Sequence, residues 1–155
     1  MTHPPYVAVV GPGSPDDPWL LDAAREAGRL LAGRGYVVVT GGLGGVMAAA
    51  AAGVADAGGT AVALLPGVDR SEASLGHAIV IPTGLGEMRN ALLVRSVDAL
   101  LAIGGSWGTL SEVALAARTG VPVVAVRSWD LPGPEVVACA DVSEAVERLA
   151  ALPRM

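Results

Sequence analysis

Two glycine-rich turns restrict this chain more than anything else in it. They are Gly41-Gly42-Leu43-Gly44-Gly45-Val46-Met47 and Gly104-Gly105-Ser106-Trp107-Gly108-Thr109-Leu110-Ser111-Glu112. Each follows a short apolar run, Tyr36 to Thr40 and Ala99 to Ile103, and each opens an alanine-rich stretch. A turn from strand to helix that is built of glycine lets a ligand approach the backbone closely. The helix that follows offers unpaired N–H groups and partial positive charge, which suit a phosphate or another anion. Two such turns in one small domain predict a single cleft that holds a phosphorylated ligand from both sides.

The rest of the chain alternates in the same way. Strands are expected at Tyr6 to Gly11, Val37 to Thr40, Thr60 to Leu65, Ala78 to Ile81, Ala99 to Ile103 and Val121 to Val126. Helices are expected at Pro18 to Arg34, capped by Asp17, and at Val46 to Ala57, Glu87 to Ser96, Thr109 to Thr119 and Val142 to Leu152. A polar loop, Pro66 to His77, follows the third strand. Short, continuously apolar strands separated by helices signal a parallel sheet covered on both faces. The expected fold is therefore α/β: one Rossmann-like, doubly wound, mainly parallel domain over residues 1–155 with helices on both faces. In such sheets ligands sit beyond the carboxyl ends of the strands, where both glycine turns fall.

Composition removes several function classes. A net charge of -5 argues against a nucleic-acid groove, and no basic amphipathic stretch suggests a membrane surface. The opening Met1-Thr2-His3-Pro4-Pro5 lacks the charged region and apolar core of a signal peptide, and the single cysteine, Cys139, cannot form an internal disulfide. A reducing cytoplasm is the expected location. The chain contains no lysine, which excludes a pyridoxal phosphate Schiff base and a Walker-type loop, so phosphate must be met by backbone amides, hydroxyls and arginine. His3 and His77 lack neighbours at metal-ligand spacing, so no metal site is expected. No cofactor is required. The run Ala48 to Ala52 has little polar face, which predicts a homo-oligomer, dimer or tetramer, with this helix or Ala114–Ala117 at the contact; close packing within one subunit is the competing account.

A dinucleotide turn of G-x-G-x-x-G form is absent: Gly11-Pro12-Gly13-Ser14-Pro15-Asp16 lacks its third glycine, and Gly84-Leu85-Gly86 runs into Glu87, Met88 and Arg89. The chain instead resembles, over essentially its whole length, the superfamily of the Lonely Guy-type phosphoribohydrolases, long misnamed lysine decarboxylases, and the molybdenum cofactor carrier proteins. The phosphoribohydrolases carry an arginine–lysine pair, then an Asp-Ala strand start, then a P-G-G-x-G-T-x-x-E turn. Here Arg89 takes the arginine position, Asp98-Ala99 the strand start, and Gly104 to Glu112 the turn. Asn90 stands in place of the lysine, Gly104 in place of the proline and Ser106 in place of a glycine. Thr83-Gly84-Leu85-Gly86 leading to Arg89-Asn90, with Gly-Gly-x-Gly-Gly-Val-Met earlier, looks more like the carrier branch, although Ala48 departs from both.

The resemblance implies binding of a phosphorylated, nucleotide-like ligand, a nucleotide or molybdenum cofactor in a carrier or sensor. Its alternative is hydrolysis of a nucleoside 5'-monophosphate to free base and ribose 5-phosphate, with Arg89 and Glu112 as the catalytic pair. There a carboxylate would stabilise positive charge developing on the ribose. The expected ligand-binding positions are Gly11, Ser14, Gly41, Gly42, Gly44, Gly45, Met47, Arg89, Asn90, Gly104, Gly105, Ser106, Trp107, Gly108 and Thr109. Several have structural readings too. Thr109-Leu110-Ser111-Glu112 is a capping box. Arg89 also has a reading as a surface arginine at a helix start, the weaker one because there it opposes the helix dipole. Trp107 serves either as a ring-stacking face or as packing for a neighbouring loop.

Overall fold

The computed structural model describes residues 3–153. Met1 and Thr2, which head the segment expected to enter the first strand without a signal peptide, lie outside them, as do residues 154–155.

Seven parallel strands form one sheet: β1 (Tyr6–Val10), β2 (Val37–Thr40), β3 (Ala61–Leu65), β4 (Ile79–Pro82), β5 (Ala99–Ile103), β6 (Val123–Val126) and β7 (Val136–Cys139). Their spatial order is β4-β3-β2-β1-β5-β6-β7. The chain winds outward through β2, β3 and β4, then returns to the middle and winds the other way from β5. The switch falls between β1 and β5, where Val7 pairs with Ala99 and Val10 with Ala102. Connections diverge there, leaving a crevice at the carboxyl ends.

Among the described residues five α-helices cover the sheet: α1 (Pro18–Gly33), α2 (Val46–Asp56), α3 (Arg89–Arg95), α4 (Trp107–Thr119) and α5 (Val142–Ala150). Alternation along the strands assigns them to faces. Val7 and Val9 join Leu31 of α1, Val54 of α2 and Val146 of α5 in one core cluster. Ala8 and Val10 join Leu93 of α3 and Val113 of α4 in the other. The expected α/β, doubly wound fold is the observed one.

Three local expectations change. The strand β7 was not anticipated. The helix α4 begins at Trp107 rather than Thr109, with Ser106 as its N-cap. A single 3-10 turn, Gly86–Met88, precedes α3, so that helix starts at Arg89 and not at Glu87.

Of the alanines of α2, Ala50 and Ala51 are buried inside the subunit, while Ala48, Ala49 and Ala52 are half-buried. A Cβ on Gly53 would overlap the Arg25 carbonyl of α1, so backbone meets backbone where the helices cross. The larger exposed apolar side chains lie elsewhere, with Ile79 and Ile81 on β4 and Leu92 on α3 among them. Helix propensity alone would make Gly53→Ala stabilising by about 1 kcal/mol. Steric overlap with a fixed backbone outweighs that gain, and we expect a net loss of about 1–3 kcal/mol in urea unfolding.

Candidate functional site

The cleft lies over the β1–β5 switch and encloses about 180 Å³. Gly11 and Gly13 wall it from the β1–α1 loop, Gly41 and Met47 from the first glycine turn, and Ser106, Gly108, Thr109 and Glu112 from the second. Arg89 and Asn90, at the start of α3, complete the wall. Residues far apart in sequence thus share one concavity.

The first turn is held by its neighbours. Gly45 adopts a φ of 61° as the N-cap of α2 and provides no side-chain cap. The Val46 amide donates to the Pro12 carbonyl at 3.0 Å. The next amides of α2, at Met47 and Ala48, have no protein acceptor among the described residues, as expected for a first helical turn. Behind the turn, the Gly42 amide donates to Thr40 Oγ1 at 2.9 Å, and Thr40 Oγ1 lies 2.7 Å from His77 Nε2. His77 Nδ1 lies 3.0 Å from the Ser74 carbonyl, which can only accept, so Nδ1 carries the proton and Thr40 donates to Nε2. Burial holds the His77 pKa below its ordinary value, consistent with a neutral ring. His77 is therefore a structural side chain, and it ties the end of the Pro66–His77 loop to the turn. The Ser74 amide, donating to the Gly42 carbonyl at 2.9 Å, ties the loop a second time.

The second turn is capped by Ser106 and not by a box ending at Glu112. Ser106 Oγ accepts from the Thr109 amide at 3.2 Å and lies 2.9 Å from Thr109 Oγ1. The Trp107 and Gly108 amides remain without protein acceptors among the described residues. The expected capping role of Glu112 is overturned, because the helix begins too early for its carboxylate to reach the cap. Its Oε2 is buried without any hydrogen-bond partner among the described residues. Desolvation pushes the Glu112 carboxyl up to about 7, with the Arg89 charge pulling it back.

Arg89 is not a surface residue; it is 8% exposed. Its Nη1 donates to the carbonyls of Gly41 at 2.7 Å and Leu64 at 2.6 Å, and Nε donates to Asn90 Oδ1 at 3.1 Å. A side chain on Gly41 would collide with this guanidinium, which explains glycine there. Asn90 Nδ2 in turn donates to Ser111 Oγ at 3.1 Å, linking α3 to α4. Burial lowers the Arg89 pKa and the Glu112 carboxylate raises it.

The other expected positions stand back from the wall. Gly42 packs under Ala63 and Leu65, Gly44 and Gly45 close on the Gly13 carbonyl, and Gly104 packs on Leu20 and Pro12. Gly105 meets the Trp129 indole, whose Nε1 donates to the Ser106 carbonyl at 3.1 Å. Ser14 is exposed. Trp107 is 77% exposed, its ring centroid 5.3 Å from that of Trp129 at 36°. Sequence reasoning missed Gly13 and Val10 as cleft residues and gave no signal for Trp129. Among the described residues no group of three or more His, Cys, Asp or Glu could hold a metal ion. No helix there is long and apolar enough to cross a membrane.

Known proteins share this architecture. The molybdenum cofactor binding protein from the phototrophic bacterium Rippkaea orientalis superposes with a TM-score of 0.92 at 34% identity, over 97% of this chain and 98% of that one. The molybdenum cofactor carrier protein from Chlamydomonas reinhardtii gives a TM-score of 0.85 at 34% identity, over 94% and 96%. An uncharacterized protein from Archaeoglobus fulgidus is 40% identical over 122 residues, 78% of this chain and 79% of that protein. The model of the SLOG cluster4 family matches residues 4–150, and the chain belongs to that family.

Proposed function

We propose that this protein binds a phosphorylated pterin- or nucleotide-like ligand of the molybdenum cofactor class and carries or senses it unchanged. The observation that carries the reading is the convergence of two helix amino ends on a cleft that also contains the Arg89 guanidinium. Each end has amides that no described protein group accepts, and such ends bind phosphate. Two relatives with solved structures are described as binding or carrying molybdenum cofactor.

Size supports a division of the ligand. Pockets that enclose a whole drug-sized ligand span roughly 300–1,000 Å³, whereas this cleft encloses about 180 Å³. The phosphate end fits inside, and the ring system lies at the rim, where Trp107 offers an exposed indole for stacking. A reducing cytoplasm and a dimer or tetramer of this chain complete the reading; sedimentation of the pure protein checks the assembly.

A second reading, nucleoside 5'-monophosphate hydrolysis, is favoured by the presence of Arg89 and Glu112 on one cleft wall. Against it stands a carboxyl that is half protonated near neutral pH, where stabilising positive charge on ribose wants an ionised one. The test is calorimetric titration with molybdenum cofactor released from a molybdoenzyme and with nucleoside monophosphates, alongside an assay for free base. Binding without base release is expected, and Trp107→Ala should weaken ring-bearing ligands while leaving sulfate unaffected. Base release that vanishes in Glu112→Ala would establish the hydrolase instead. No binding of any of these compounds would overturn both.

A further inference from the structure

Glu112 sits where an anion is expected, yet it is itself an acid. Its Oε2 is buried in the cleft wall with no hydrogen-bond partner among the described residues, an arrangement that natural structures rarely leave unexplained. The remaining polar groups of the wall have mostly found partners. Arg89 Nη1 serves two carbonyls, Asn90 serves Arg89 and Ser111, and the Ser106 and Thr109 hydroxyls serve each other. An ionised carboxylate here would face a phosphate with like charge, with one of its oxygens buried and unpartnered. A neutral carboxylic acid has one O–H to donate, and anion oxygens are acceptors.

We infer that Glu112 enters the bound state as a neutral acid, its O–H donating to an oxygen of the ligand's anionic group, so that ligand and proton are taken up together. This rests on the proposed anion site and gives it a chemical selectivity for oxyanions with an unprotonated oxygen. The proton comes from solvent and stays on the carboxyl; no bond in the ligand is made or broken. The shifted carboxyl pKa agrees with this, since burial has already brought proton uptake within reach of neutral pH.

Glu112 has one charged neighbour in the cleft, Arg89 from α3; the lining residues from the β1–α1 loop, the first turn and α4 are otherwise uncharged. Arginine holds its proton throughout the relevant range. His77 lies behind the first turn, and burial lowers its pKa, so its titration lies below the window of interest. Above pH 7, therefore, one carboxyl governs the pH dependence of anion binding.

The experiment is calorimetric titration of the whole chain with sulfate and with a nucleoside 5'-monophosphate between pH 6 and 9, in two buffers of different ionisation enthalpy. Sulfate has no protonation step in this range, so a proton taken up with it belongs to the protein. Uptake should approach about one proton per sulfate at pH 8–9, and affinity should fall about tenfold per pH unit above 7. Glu112→Gln keeps a neutral donor, and should bind sulfate with affinity independent of pH and no proton uptake across the range, and the nucleotide likewise at pH 8–9, where its phosphate no longer titrates. A residue of merely structural importance would alter affinity without altering the proton count. Binding of either probe at pH 8–9 with no proton uptake in the native chain overturns the inference while leaving the anion site standing. Retention of the pH dependence in Glu112→Gln overturns it as well. Failure of both probes to bind at pH 6, where the acid is protonated, overturns the inference and the proposed site together.

Discussion

Arg89→Ala should lower stability by about 3–5 kcal/mol and abolish most of the affinity for phosphorylated ligands. The reason lies in the carbonyls that the guanidinium serves. Gly41 and Leu64 are buried at the carboxyl ends of β2 and β3, and Nη1 donates to both, at 2.7 and 2.6 Å. Each acceptor left without a donor costs about 1–3 kcal/mol, and hydrogen bonds from a charged donor lie at the strong end of the range. The same substitution removes the one positive charge of the cleft wall. Arg89→Lys is no substitute, because an ammonium is a compact point charge without the planar fork that reaches several acceptors at once. Urea unfolding and ligand titration of both variants check this. A loss below about 1 kcal/mol in Arg89→Ala would mean that water from the cleft satisfies the two carbonyls, and that the clamp is not what holds the first turn.

How much of this was legible in the sequence varies from residue to residue. The alternation of apolar runs with helical stretches was sufficient for the doubly wound sheet, because β1, β2, β3, β5 and β6 are buried along almost their whole length and read as continuous apolar runs without long-range information. The strand β7 escaped because Val136–Cys139 is an edge strand of four residues that follows Pro132-Gly133-Pro134, with exposed positions at Val137 and Ala138. The start of α4 had two local solutions, Ser106 and Thr109, and the S/T-x-x-E pattern favours the second. Packing decided for the first, with the Trp129 indole donating to the Ser106 carbonyl from 23 residues away. The burial of Arg89 could not be read locally at all, since its acceptors lie 48 and 25 residues upstream and meet only when β2 and β3 pair. What could be read was the chemistry: two glycine turns, one arginine and one glutamate at the carboxyl side of a parallel sheet.

Glu112→Gln should change the pH dependence of stability even when no ligand is present. The carboxyl is pushed from an ordinary 4.5 to about 7 in the folded chain, chiefly by desolvation. A group whose pKa rises on folding stabilises fully below its unfolded value, and the contribution is lost as pH climbs through the folded one. The native chain should therefore lose about 3 kcal/mol from this side chain between pH 4.5 and 7. His77 works in the opposite sense. Its pKa is lowered by burial, so its contribution is present above its ordinary 6.5 and disappears as pH falls through the folded value. The two partly cancel in the native chain, whose own profile is therefore a poor readout. The difference between Glu112→Gln and the native chain removes His77, which is common to both. That difference should be near zero at pH 4.5 and reach about 3 kcal/mol in favour of the variant at pH 8–9. Equal stability at pH 9 would mean that water or a rotamer change solvates the carboxylate, and the buried acid would not exist. A gain at pH 9 would identify a carboxyl kept at the expense of stability, as expected where a side chain is held for a ligand and not for the fold.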